Sequence, residues 1–394
     1  MGRGGSEATA MWTLQALQRE GRFELTFATM HTPDFNVLNS VYGTNVDPTS
    51  ITLKLIPTVP FVKSLSRLTH LQLALFQRAC RKVASLYELC ISTYNFVDFA
   101  RPGIQIIGDL SFDDRLERQL EPHSLSAARH RDTIIRRAYL RFGDLVRGDK
   151  QRPLAKRTDV VLANSRWTAD IIYRSLHVKS TAVIYPPVCI PAENPDDQHS
   201  MAERDALSFV CLGRVSSEKN IDGMIHILQR VRAAGYPVTL TIIGKLGEDG
   251  YGKKISALIQ DNQDWIRAPG FLDAQHRDRE LRTHAFGIHG RTAEPFGIAV
   301  AEMSGSGCVT FVPANGGALE IISDQRLQYS DPDEAVTKII AMLNDHESVS
   351  VLRDSLVKTA SRFSPENFMS DLLLQIQQFA VDHRPQVENV ENPS

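Results

Sequence analysis

Short apolar runs of strand length alternate with longer stretches of helical period along the whole 394-residue chain. No other feature restricts the fold as much. A strand followed by a helix and a further strand returns parallel to the first, so repeating the unit builds parallel sheets covered by helices. The pattern is plainest in the second half. There, Phe209-Val-Cys-Leu-Gly213, Thr239-Leu-Thr-Ile-Ile-Gly244, Ala285-Phe-Gly-Ile288 and Val309-Thr-Phe-Val312 have the composition of buried strands. Helix-like stretches such as Ile221 to Ala234 and Asp331 to Leu343 follow them. In the first half, Phe23 to Thr29, Ile104 to Ile107, Val160 to Ala163 and Thr181 to Tyr185 read as strands. Ser6 to Glu20, Leu68 to Ala84, Ala127 to Lys156 and Thr168 to Leu176 read as helices. The fold class is therefore α/β, with doubly wound sheets.

The length suits two such domains, each with its own core. Pro186-Pro-Val-Cys-Ile-Pro-Ala-Glu-Asn-Pro195 and the polar stretch after it read as a connection. The expected organisation is an N-terminal domain over 1–187, a linker over 188–207, a second domain over 208–364, a helix over 365–382 packing back on the first domain, and a mobile tail over 383–394. Met1-Gly-Arg-Gly-Gly-Ser6 reads as a loop that should follow a strand, and none precedes it, so the first strand is expected to be missing.

With 42% hydrophobic and 23% charged residues, the chain reads as globular rather than disordered. No apolar run approaches the roughly 18 to 20 residues that span a bilayer. The five cysteines, Cys80, Cys90, Cys189, Cys211 and Cys308, are scattered and odd in number, which fits buried free thiols in a reducing, cytoplasmic compartment. The net charge of −2 conceals an asymmetry. Met1 to Ile190 holds 25 Lys and Arg against 17 Asp and Glu, leaving the remainder acidic. Such a basic half suggests an anionic partner. Arg129 to Arg157 and Lys63 to Lys82 carry most of the excess, with Leu71, Leu73, Leu75 and Phe76 expected to supply an apolar face. Peripheral contact with an anionic membrane is one expectation. A solvated surface, or pairing with the acidic second half, is the other. No nucleic-acid partner is expected.

Two segments carry chemistry. Gly213-Arg-Val-Ser-Ser-Glu-Lys-Asn220 leaves the carboxyl end of a buried strand, where open α/β sheets bind ligands. Arg214 offers a planar fork of donors and Lys219 a mobile point charge, a pair suited to a diphosphate. In Glu294-Pro-Phe-Gly-Ile-Ala-Val-Ala-Glu302, Pro295 suits the first turn of a helix. The amides of Phe296, Gly297 and Ile298 would then face an anion. Glu294 stands ahead of that helix end, positioned to accept bonds from sugar hydroxyls, and Glu302 lies further along it. Taken alone, the same pattern fits solvated basic residues and an acidic group complementing a helix dipole.

Together the two segments resemble family four of the retaining glycosyltransferases, which have the GT-B fold of two Rossmann-like domains facing a cleft. Further pieces occur in the family's order: Gly4-Gly5-Ser6-Glu7, Ala163-Asn-Ser-Arg-Trp167, Val183-Ile-Tyr-Pro-Pro187, and Gly316-Gly317 with Glu320. The resemblance implies that Arg214 and Lys219 hold the donor diphosphate, that the Phe296, Gly297 and Ile298 amides cap a phosphate, and that Glu294 contacts the transferred sugar. It also implies that Glu302 meets the ribose and that the Gly4-Gly5 loop approaches the reaction centre.

Family members often carry a His near the acceptor, where this chain has Gly108 and Asp109. Asp109 is the candidate replacement for that His. His289 faces the same cleft in the resemblance, with a core role equally compatible. Asp331-Pro-Asp333 opens a helix and reads as a cap rather than a metal site. No metal or other cofactor is expected, only a nucleotide diphosphate sugar as co-substrate. Leu89-Cys-Ile-Ser-Thr-Tyr-Asn95 and Ile104 to Asp109 resemble mannosyltransferases that build lipid-linked oligosaccharides, favouring GDP-mannose over a UDP-sugar. The acceptor would be a glycan, a lipid or a small molecule. A GT-B sugar-nucleotide epimerase, or a binding protein without catalysis, fits the same motifs.

Overall fold

The computed structural model describes residues 4–56, 68–109, 114–120, 133–148, 158–190 and 204–383. Through the first half run α1 (Gly5–Glu20), β1 (Leu25–Thr29), α2 (Phe35–Tyr42), β2 (Ile51–Leu55), α3 (Thr69–Val83), β3 (Ile91–Ser92), β4 (Ile104–Ile107), α4 (Asp114–Leu120), α5 (Ile134–Arg147), β5 (Val160–Ala163), α6 (Arg166–Leu176) and β6 (Ala182–Val183). The second half follows with β7 (Asp205–Leu212), α7 (Ile221–Ala233), β8 (Thr239–Ile243), α8 (Gly250–Asp261), β9 (Ile266–Gly270), α9 (Ala274–Arg282), β10 (His284–Ile288), α10 (Ile298–Gly305), β11 (Val309–Pro313), β12 (Gln328–Tyr329), α11 (Pro332–Leu343), α12 (His346–Ala360) and α13 (Pro365–Asp382).

All described pairings are parallel, as strand–helix alternation requires. The six-stranded sheet has the order β12-β11-β10-β7-β8-β9. The chain winds outward in one direction from β7 and in the other from β10. These neighbours are therefore the point where the order reverses, and the crevice beyond their carboxyl ends is where ligands bind in such sheets. Phe209 of β7, Phe286 of β10 and Phe311 of β11 lie against one another beneath that crevice, with ring centroids 5.0 to 6.4 Å apart. The earlier strands form a four-stranded sheet, β3-β4-β5-β6, and a separate pair, β1-β2.

Helix α1 is buried on nearly every side from Ala8 to Leu17 because it is sandwiched. Met11 and Leu14 pack with Phe35 and Leu38 of α2. Trp12, Ala16 and Leu17 pack with Phe368, Leu372 and Phe379 of α13, so the end of the chain closes over the beginning. Val188, placed in the linker by sequence, is instead buried in the core of the six-stranded sheet, and its N–H donates to the Phe363 carbonyl at 2.8 Å. Ile190 packs there too, and the rest of that segment up to residue 203 lies outside the described residues.

Several sequence expectations need correction. The α10 helix begins at Ile298, not Pro295, because Gly297 adopts φ 100° and breaks the helical path ahead of it. The apolar side chains of α3 do not form an outward face, since Leu71, Leu73, Leu75 and Phe76 are half-buried. Of the long helix expected over Ala127 to Lys156, the described part is α5; the flanks, with Lys63 to Arg67, lie outside the described residues. So does the tail beyond residue 383.

Candidate active site

Two loops leave the carboxyl ends of neighbouring strands at the point of reversal, Gly213 to Asn220 after β7 and His289 to Gly297 after β10. They are pressed together at Gly290, where a side chain would meet the Lys219 and Asn220 carbonyls at 2.8 and 2.9 Å. This contact turns Lys219 into the site. Its Nζ lies 2.6 Å from Glu294 Oε2, with side-chain exposures of 17% and 10%.

Glu294 has two further neighbours that the motif alone did not single out. His289 Nε2 is 3.1 Å from the same carboxylate oxygen, and Arg291 NH1 is 3.7 Å from the other. Burial alone would raise the Glu294 pKa, but the charges of Lys219 and Arg291, with the His289 ring close by, outweigh it and hold the carboxyl well below its ordinary value. Burial lowers the His289 pKa, the Lys219 charge adds to that, and only Glu294 opposes, so the ring is held toward the neutral form. The backbone of His289 is fixed as well, its carbonyl accepting from the Tyr329 hydroxyl at 2.5 Å. The result is a buried carboxylate kept ionised beside a neutral imidazole.

The loop that presents Glu294 is held from behind and from the other half of the chain. Gly317 N–H donates to the Glu294 carbonyl at 2.7 Å, and a side chain at Gly317 would collide with the Pro295 carbonyl. That close approach is what the Gly316-Gly317 pair supplies. Ser165, which caps α6, donates its hydroxyl to the Pro295 carbonyl at 2.5 Å, and Thr168 donates to it at 3.2 Å. Glu320 accepts from the Trp167 N–H at 3.1 Å and the Tyr185 hydroxyl at 2.8 Å. The Phe296 ring is buried against Tyr185 and Phe363.

Arg214 points outward from the first loop, 71% exposed and 3.9 Å from Glu218, available to an approaching anion. With the helix starting at Ile298, the amide of Ile298 opens α10, while those of Phe296 and Gly297 belong to the loop ahead of it. Glu302 sits within α10, 3.0 Å from Arg277 NH2 of α9; burial raises its pKa and Arg277 partly offsets this. Gly4 caps α1, and a side chain at Gly5 would stand 3.1 Å from Ile298 Cδ1, so the N-terminal glycines abut the start of α10. Asp109 follows β4 in the first half of the chain. Its Oδ1 accepts from Asn95 Nδ2 at 2.8 Å, while Asn164 Nδ2 donates to the Gly108 carbonyl at 2.9 Å. Asp331 caps α11 and Asp333 pairs with Arg230 at 2.7 Å, so both carboxylates of Asp331-Pro-Asp333 have structural partners.

Residues 194–361 match the family described as glycosyl transferases group 1. The gpi3 subunit of phosphatidylinositol N-acetylglucosaminyltransferase from Schizosaccharomyces pombe is 25% identical over 179 residues, a match spanning 44% of this chain and 38% of that protein. Among solved structures, HepE from Anabaena in complex with UDP superposes with a TM-score of 0.66 at 17% identity, covering 96% of this chain and 97% of that one. Sucrose-phosphate synthase from Thermosynechococcus elongatus superposes with a TM-score of 0.69 at 15% identity, covering 94% and 92%. The fold is that of the GT-B glycosyltransferases, and within the second half residues 194–361 match the glycosyl transferases group 1 model.

Proposed function

We propose that this chain, a GT-B protein with a group 1 domain, transfers a hexosyl group from a nucleotide diphosphate sugar to an acceptor hydroxyl with retention of configuration. The observation that carries the reading is the Lys219–Glu294 contact of 2.6 Å in the crevice between β7 and β10. It sets a cation and an ionised carboxylate side by side where a diphosphate and its sugar would meet. Glu294 accepts hydrogen bonds from sugar hydroxyls, and Asp109 contacts sugar or acceptor from the other half of the chain. Lys219, Arg214 and the Ile298 amide face the diphosphate, and Glu302 exchanges Arg277 for the ribose. As the bond to the anomeric carbon breaks, charge grows on the departing phosphate oxygen, and donors already aimed there interact more strongly than in the ground state. The acceptor attacks from the same face, its proton passing to the departing phosphate. No metal is assigned a role, and a cytoplasmic setting fits the scattered thiols.

Two donor readings compete. The segments around Leu89 to Asn95 support GDP-mannose, whereas the relatives' names, with UDP and N-acetylglucosaminyl, support a UDP-sugar. Thermal melting of the full chain against UDP, GDP and ADP and their sugars decides. A bound donor at 100 times its Kd adds about 2.7 kcal/mol. A rise with one nucleotide series is expected, followed by acceptor-dependent release of that nucleoside diphosphate. No rise with any series overturns the proposal, and release or rearrangement of donor without acceptor replaces it with epimerase chemistry.

A further inference from the structure

Helix α5 has two faces that the fold treats differently. One packs on α3. A side chain at Gly143 would run into His70, the Tyr139 hydroxyl accepts from the Leu71 N–H at 3.2 Å, and Arg78 donates to the Val146 carbonyl at 2.9 Å. The opposite face holds Ile134, Ile135, Ala138, Phe142 and Leu145, which fall on one stripe at helical spacing. Ile134, Ile135, Phe142 and Leu145 are 78, 84, 54 and 76% exposed. Arg137 and Arg141, also exposed, run along one edge of that stripe. Within the helix, Arg136, Arg137, Arg141 and Arg147 outnumber Asp144, so its own charge is positive.

We propose that α5 lies in the surface of an anionic lipid bilayer, with the stripe in the acyl boundary and Arg137 and Arg141 among the lipid phosphates. The stripe covers one side of a helix about 21 Å long at roughly 1.5 Å per residue. A bilayer surface accepts such a face along its full length. Contiguous large apolar side chains left in water mark an interaction site, and the arginine edge selects an anionic one. A nucleic acid would engage the arginines and leave the aliphatic side chains in water. The proposal goes beyond sugar transfer and stands independently of it, since none of these residues lies in the crevice. It also relocates the apolar face that the sequence assigned to α3.

The test is co-sedimentation of the full chain with phosphatidylserine-containing and pure phosphatidylcholine vesicles at low and high salt. Binding to the anionic vesicles alone, falling as salt screens it, is expected. Arg137→Ser with Arg141→Ser should weaken it on the order of 25-fold at low salt, about fivefold per arginine. Ile135→Ser with Phe142→Ser should weaken it on the order of 100-fold. Both double variants alter exposed side chains, so an unchanged melting temperature verifies the fold. Failure of the wild type to bind anionic vesicles at low salt overturns the proposal, as does binding unaffected by either double variant. Two further results also overturn it: an RNA oligonucleotide bound more tightly than the vesicles, or a wild-type dimer in light scattering that Ile135→Ser with Phe142→Ser converts to monomer.

Discussion

Replacing Lys219 by Met keeps the length of the side chain and removes its charge, which leaves Glu294 buried with one cation in place of two. At an effective dielectric of about 20, a unit charge at the Lys219 distance attracts the carboxylate by about 6 kcal/mol, and one at the Arg291 distance by about 4. More than half of the field is lost, but not all of it. Removing one partner of a buried pair ordinarily costs roughly 3 to 5 kcal/mol, and Arg291 together with protonation of Glu294 reduces that to about 2 to 3 here. For a domain of this size the melting temperature should fall by about 4 to 12 °C. Adding Glu294→Gln to Lys219→Met removes the stranded charge, so the double variant should regain most of the lost stability. Turnover should behave otherwise. Both the single and the double variant should lose about 2 to 4 kcal/mol of transition-state stabilisation, a fall of roughly 30- to 1000-fold in kcat/KM. Thermal melting and steady-state kinetics of the three proteins separate the two effects. A Lys219→Met protein as stable as the wild type, unaltered by Glu294→Gln, would refute the buried pair. Unaltered kcat/KM would refute the diphosphate role while leaving the pair intact.

Acid should destabilise the wild type in two windows. The folded pKa of His289 lies below its ordinary 6.5 and that of Glu294 below 4.5, so each contributes stability that is present above those values and lost as pH falls through the folded ones. Melting measured from about pH 7 to pH 3 should therefore fall more steeply below about pH 4.5 in wild type than in Glu294→Gln, and parallel curves would contradict the depressed carboxyl. Two glycines should also differ: Gly317→Ala drives a methyl into the Pro295 carbonyl and 2.9 Å from Phe296 Cα, whereas Gly5→Ala meets only the flexible end of Ile298. The first should cost at least about 1 to 3 kcal/mol and lower turnover, the second less than about 1 kcal/mol; equal melting temperatures would count against the loop backing.

What the sequence disclosed and what it concealed divide along one physical line. Strands buried on both faces, such as β4 and β5, announce themselves as continuous apolar runs, and both have the expected bounds. Strand β9 contains Arg267 and Pro269 and is not among the strands the apolar runs mark, yet it is an edge strand of the six-stranded sheet, where a residue without an N–H is tolerated. The motif residues Lys219 and Glu294 were legible because their types and spacing are chemically restrictive. His289 and Arg291 were not legible as partners of Glu294, since proximity within a loop of φ-permissive backbone depends on packing at Gly290 and Gly316, not on spacing. The start of α10 was misplaced for the same reason: Pro295 satisfies a helical first turn locally, but its carbonyl is committed to Ser165 and Thr168 across the cleft, and Gly297 supplies the turn that this commitment requires. The Glu294 loop is thus shaped by groups 130 positions away in the chain. A change in how the two halves meet would therefore act on the Glu294 loop through the Pro295 carbonyl.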